Sequence, residues 1–173
     1  MLASLVEAVK RNHGLEHATV SVMLGKMGGP KRMFGHAMPD GFYLYADVPD
    51  ELVHESAHEA LQRMKTGEGN LAVSPLCGTN IVIAGVATAL ISLFTVNQPT
   101  RFSRFPSIVN AATLGIIAGR PLGAWFQKHL TTSPRVEDME IVEIKRGMGP
   151  GKPFLVRTRV NGTAAEAAYA ELT

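Results

Sequence analysis

Over the first 27 residues the apolar positions recur with the period of an α-helix. Leu2, Leu5, Val6, Val9, Val20, Met23, Leu24 and Met27 share one arc at about 100° per residue, and Glu7, Lys10 and Arg11 lie off it. Gly28-Gly29-Pro30 stops that helix. "KRMFGHAM", a turn at Pro39-Asp40-Gly41 and "FYLYADV" then predict a β-hairpin with alternating aromatics on its second strand. Asp50 is the expected N-cap of a second helix running to about Lys65 and ended by "TGEGN". Near the other end, "MEIVEIKRG", the turn "MGPGK" and "PFLVRTRV" predict another hairpin, and "TAAEAAYAEL" a short helix or frayed tail.

Between these parts the pattern changes. No charged residue occurs from Gly69 to Thr100, and "GTNIVIAGVATALISLFTV" is long enough, at about 1.5 Å per residue, to cross a bilayer core of about 30 Å. After "NQPTRFSR", the stretch "FPSIVNAATLGIIAGRPLGAWFQ" carries one charge, Arg120, followed by Pro121. Two readings compete: a pair of transmembrane helices, or two buried helices of a soluble chain. The first is the expectation. Gly85, Ala87 and Ala89, with Ala111, Ala112, Gly115, Ala118 and Gly119, would let the helices approach closely, and Trp125 suits an interface.

The expected fold is therefore α+β: a transmembrane hairpin at 71–127, with an extramembrane part of two helices and two β-hairpins. Regions 1–70 and 128–173 would pack together as one unit. Arg63, Lys65, Lys128 and Arg135 flank one side, against Arg101 and Arg104 in the loop, which puts both termini in the cytoplasm and the chain in the inner membrane.

The chain's 173 residues suit one compact unit, and its +2 net charge lacks the basic runs of a nucleic-acid binder. The lipid bilayer is the expected partner instead. Cys77, the only cysteine, excludes an internal disulfide, and "MLASLVEAVKRNHG" lacks the features of a signal peptide.

The candidate chemistry lies in "RNHGLEHATV". His13, Glu16 and His17 form H-x-x-E-H inside the apolar arc of the first helix. A carboxylate buried there needs compensation: a metal, a structural Glu-His pair, or a buried cation such as Arg120. A bis-histidine haem contact is a remoter use of the histidines. Histidines at i and i+4 can reach one zinc ion, and H-x-x-E-H is the inverted zinc-hydrolase signature with the glutamate as general base. Over those five residues the chain resembles the pitrilysin-type metallopeptidases.

"HESAH", His54 to His58, formally matches H-E-x-x-H, but Glu55 and His58 project away from the face formed by Val53, Ala57, Ala60, Leu61 and Met64. A solvated helix face explains it better. Glu59, on the flank of that face, is the first choice for a third zinc ligand, ahead of Glu55 and His36. In "SPLCGTN", Thr79 or Asn80 is the expected cap of the first apolar helix, and the Cys77 thiol is either a small buried group or a further ligand.

Together, "NHGLEHATV", "GFYLYADVP", "GEGNLAVSPLCGTN" and the later "TTS" resemble a bacterial family, domain of unknown function 6391, in order over most of the chain. The resemblance implies a small membrane-associated protein with two spans and no established activity. Relatives often carry histidine where Ser74 stands here, so a ligand from that position is not expected; they tend to lack His54 and His58, and Glu59 matches an acidic position. The expected function is a membrane-associated zinc-dependent hydrolase, a peptidase acting on peptide substrate, with His13, His17 and Glu59 as ligands and Glu16 as general base. Arg120 could pair with a buried carboxylate or orient a substrate. The alternative is a non-enzymatic membrane protein, or an accessory subunit of a membrane complex, with a structural His-Glu-His network.

Overall fold

A computed structural model describes residues 2–28, 32–95, 101–147 and 152–161. The chain divides into two compact units, Met1–Val73 with Leu130–Thr173, and Ser74–His129.

The first unit begins with α1 (Leu2–Met27), the hairpin β1 (Met33–Met38) and β2 (Gly41–Ala46), and α2 (Asp50–Lys65). A 3₁₀ turn at Gly69–Ala72 follows, and β3 (Met139–Arg146) and β4 (Phe154–Val160) complete the unit. The two hairpins merge into one antiparallel sheet in the order β1-β2-β4-β3, joined where Phe42 faces Val156 and Leu44 faces Phe154. Strand alternation turns those four residues to one face, where they are fully buried with Leu15, Met23, Val53 and Ala60 from α1 and α2. The other face carries Phe34 and Tyr45, whose rings pair across β1 and β2 at 5.9 Å. Gly41, at φ +150°, holds a position where a Cβ would meet the Val156 carbonyl, so the β1–β2 turn needs glycine there.

Asp50 is not the N-cap of α2. Pro49 takes that position without a side-chain bond, and Asp50 lies in the first turn, accepting a hydrogen bond from Arg146 at 2.6 Å. An acidic first turn still complements the helix dipole.

The second unit holds α3 (Gly78–Thr95) and α4 (Arg101–Phe126), followed by a π-turn at Gln127–Thr131. Its seam is made of small residues. A Cβ on Gly115 would lie 2.9 Å from the Thr88 Cα, one on Gly119 3.1 Å from the Ala84 Cα, and one on Gly123 2.9 Å from the Asn80 Cα. Every fourth residue of α4 thus admits the backbone of α3. Gly85 takes no part; the space beside it is open. Asn80 does not cap α3 as expected. Its amide nitrogen donates to the carbonyls of Ser74 and Pro75, and its oxygen accepts from the buried Gln127 side chain at 2.9 Å.

Among the described residues, no helix is long and apolar enough to cross a membrane, and this overturns the expected transmembrane hairpin. α3 runs 18 residues, about 27 Å, and opens on Gly78-Thr79-Asn80, which leaves its apolar part short of a bilayer core of about 30 Å. α4 has the length, with 26 residues, but Pro106, Asn110, Arg120 and Pro121 dilute its apolar content. The described residues form an α+β architecture with four helices and one four-stranded sheet. The expected "TAAEAAYAEL" helix and most of the "MGPGK" turn lie outside the described residues.

Candidate metal centre

Four separate parts of the first unit meet on the middle of α1. Asn12 and Gly14 through Thr19 are all buried there, because sheet, α2, 3₁₀ turn and the 131–135 segment surround the helix. Gly14 makes room for two of them: a Cβ would stand 2.6 Å from the Ser133 carbonyl oxygen and 3.1 Å from the Ala72 Cβ. The Ser133 N–H donates to the Lys10 carbonyl at 2.9 Å, and its hydroxyl donates to Glu7 at 2.8 Å. Arg135 pairs with the same Glu7 oxygen at 2.8 Å. Burial pushes the Glu7 carboxyl up, but the Ser133 hydroxyl and Arg135 outweigh it and hold the group below its ordinary 4.5. Arg11 clasps both oxygens of Asp138 at 2.8 and 3.1 Å.

This docking orients both histidines. His13 Nδ1 lies 2.9 Å from the Thr131 carbonyl oxygen, and His17 Nδ1 lies 2.8 Å from that of Ala72. A carbonyl only accepts, so each Nδ1 carries the proton and each neutral ring has its lone pair on Nε2. The two rings meet edge to face with centroids 4.4 Å apart, and a ligand nitrogen from each lies within 4.8 Å of the other. Two imidazole nitrogens on one tetrahedral zinc stand about 3.4 Å apart, inside that limit.

Glu16 is buried, and its carboxyl packs where a Cβ on Gly35 of β1 would sit. The structure therefore turns it to the sheet, while His13 and His17 bond to the 131–135 segment and the 3₁₀ turn. Glu59 lies on α2 in ion pairs with Lys26 at 3.0 Å and Arg63 at 3.7 Å. The hydrogen bond to Glu59 is the main reason that the Lys26 ammonium titrates above its usual range. Lys26 is nine residues beyond His17 on α1, about 13.5 Å of helix, so Glu59 is engaged away from the histidine pair. Glu55 reaches the same lysine at 3.4 Å, and His36 is exposed. Glu55 and His58 are exposed, as their helical projection predicts, and His54 is exposed with them. The Cys77 thiol donates to Thr79 at 3.3 Å.

Asn12 escaped the sequence reading. Its amide donates to the Met38 and Pro39 carbonyls at 2.9 and 3.0 Å, and its oxygen accepts from the Thr158 hydroxyl at 2.6 Å. The projection that puts Glu16 in the apolar arc puts Asn12 there too, and that is the signal that could have found it.

Comparison with known proteins gives a family and no activity. Residues 8–144 match the domain of unknown function DUF6391. The chain is also 31% identical over 138 residues to an uncharacterized protein of Picosynechococcus sp., a match that takes in 72% of this chain and 66% of that protein. It thus spans just under two thirds of that relative's length. No solved structure matches. The matched span takes in α1 from Ala8, both histidines and the 131–135 segment, and the chain belongs to the DUF6391 family.

Proposed function

We propose that the chain is a zinc-dependent hydrolase with peptide as its substrate class, in which His13 and His17 supply two zinc ligands. The supporting observation is the orientation of both imidazoles: each Nδ1–H is committed to a backbone carbonyl, which leaves the lone pair of each neutral ring on Nε2, and a ring nitrogen of one histidine lies within 4.8 Å of a ring nitrogen of the other. A pair of imidazoles held in this way suits a borderline-soft ion such as zinc. Zinc there would bring the pKa of a bound water toward neutrality. In this reading Glu16 leaves its place against Gly35 to act as general base, and Glu59 leaves its ion pair with Lys26 to serve as third ligand.

Metal analysis of the purified chain tests it. The expected result is one equivalent of zinc, lost in His13→Ala and in His17→Ala and kept in Glu16→Gln, with Glu16→Gln losing hydrolysis of a peptide library. Release of the ion by Glu59→Gln identifies Glu59 as the third ligand. A folded, metal-free wild-type chain rejects the proposal.

The same two hydrogen bonds favour a second reading. They join α1 to chain 118 and 55 positions away, so the histidines also serve as a structural network without catalysis. In that case the histidine substitutions lower stability and leave metal content unchanged.

A lipid surface is the proposed partner of α3 and α4. Ile81, Val82, Leu90, Ile116, Ile117 and Trp125 are all exposed, and on α4 the exposed positions cover every side except the glycine seam. An apolar face of this extent suits contact with a lipid surface. Flotation with phosphatidylglycerol vesicles tests it; recovery of all the protein in the lipid-free fraction counts against it.

A further inference from the structure

The unit Ser74–His129 contains no aspartate or glutamate, and its four formally charged residues, Arg101, Arg104, Arg120 and Lys128, are all positive. The whole chain has 17 basic and 15 acidic residues, so everything outside this unit is net acidic. Within the unit no carboxylate can neutralise the cations, and its field is of one sign.

The cations frame the apolar surface. Arg101 and Arg104 open α4, and Arg120 and Lys128 stand near its end and in the π-turn that follows. No charge lies from Phe105 to Gly119, and Phe105, Ile116 and Ile117 of that stretch are exposed. α3 adds exposed Ile81, Val82 and Leu90 and has no charge at all. Arg120 and Lys128 are both exposed, and stems of their length can lie along apolar neighbours while the charged head reaches outward. Trp125 stands between them in the chain at 54% exposure, its ring packed on Phe126 at 5.4 Å and on His129 at 4.8 Å. An exposed indole flanked by cations at the end of an apolar helix suits the level of lipid headgroups.

Charge selects the occupant of this surface. A second copy would set one positive unit against another. A zwitterionic bilayer would cover the apolar positions and leave the four cations without counter-charge. An anionic bilayer meets both needs.

We propose that α3 and α4 dock on an anionic phospholipid surface, with Arg120 and Lys128 at lipid phosphates and Trp125 among the headgroups. The inference rests on the lipid-surface reading above and adds the headgroup charge and the residues that respond to it.

Trp125 is the only tryptophan, so its emission reports the encounter. The full chain is titrated with phosphatidylglycerol vesicles, with phosphatidylcholine vesicles and with soluble poly(dT). Phosphatidylglycerol should shift the emission to the blue and bind at least about tenfold more tightly than phosphatidylcholine, and molar salt should remove most of that difference. Arg120→Gln and Lys128→Gln should each weaken binding to phosphatidylglycerol about fivefold and leave binding to phosphatidylcholine unchanged. Poly(dT) should leave the emission where it is. Equal affinity for the two vesicles overturns the proposal while the lipid-surface reading stands; binding to neither overturns both. Wild-type affinity for phosphatidylglycerol in a folded Arg120→Gln, Lys128→Gln double variant also overturns it, as does binding of poly(dT) as tight as that of the anionic vesicles.

Discussion

The Glu16 carboxyl fills the space that any side chain at Gly35 would need. Gly35→Ala should therefore destabilise the chain by about 1–3 kcal/mol, because a buried carboxyl has to move into a packed interior. Shortening the carboxyl arm relieves the clash, so Gly35→Ala should cost far less in a Glu16→Ala background. A double-mutant cycle in urea measures this coupling. Strictly additive costs would show that the two residues do not compete for the same space.

Asn12 ties α1 to the β1–β2 turn and to β4 through three hydrogen bonds. Asn12→Ala leaves the Met38 and Pro39 carbonyls and the Thr158 hydroxyl without that partner and should cost about 2–4 kcal/mol. Asn12→Asp should do no better, since a carboxylate cannot donate to either carbonyl. An Asp variant as stable as wild type at neutral pH refutes this account.

Gly14 is where the 131–135 segment comes closest to α1. Gly14→Ala improves helix propensity by about 1 kcal/mol, yet its Cβ would stand 2.6 Å from the Ser133 carbonyl, so a net loss of about 1–3 kcal/mol is expected. The segment should also shift, and the imidazole NMR signals of His13 should shift with it. A stabilised variant with unchanged signals contradicts the close approach.

Glu7 gives a pH dependence of defined sign. Its carboxyl is held below 4.5, so its contribution is complete above that value and is lost as the pH falls through the lower folded value. Glu7→Gln should be less stable than wild type at neutral pH by about 1 kcal/mol, allowing for partial exposure, and its acid limb should be flatter. Thermal melts between pH 7 and pH 3 make the comparison; parallel acid limbs rule it out.

The helices and both hairpins were legible because each has a clear period: α1 in its apolar arc, β2 in the alternation of Phe42 and Leu44 with Tyr43 and Tyr45. The pairing of β2 with β4 was not, because no local pattern reports which hairpin edges meet. The apolar run at α3 suggested a membrane span because hydropathy reports composition and not the position of helix ends. For the candidate site, helical projection placed Glu16 and His17 in the interior, where they are buried. It could not show that the Ala72 and Thr131 carbonyls would fix the imidazoles, since those acceptors come from distant chain. Glu59 was chosen for its flank position on α2; Lys26, which engages it, lies on a different helix.

The hydrogen bond from the Ser74 N–H to the Gln127 side chain, at 2.8 Å, has a kinetic consequence. It closes the base of the α3–α4 hairpin, so the polypeptide leaves and returns at nearly the same point. Asn12 and Thr158 are 146 positions apart, and their union would ordinarily require a long, slow chain search. Once the hairpin has zipped along its glycine seam, that search is shortened by the whole inserted segment. Helix pairing in the middle of the chain thus shortens the loop that its outer parts have to close.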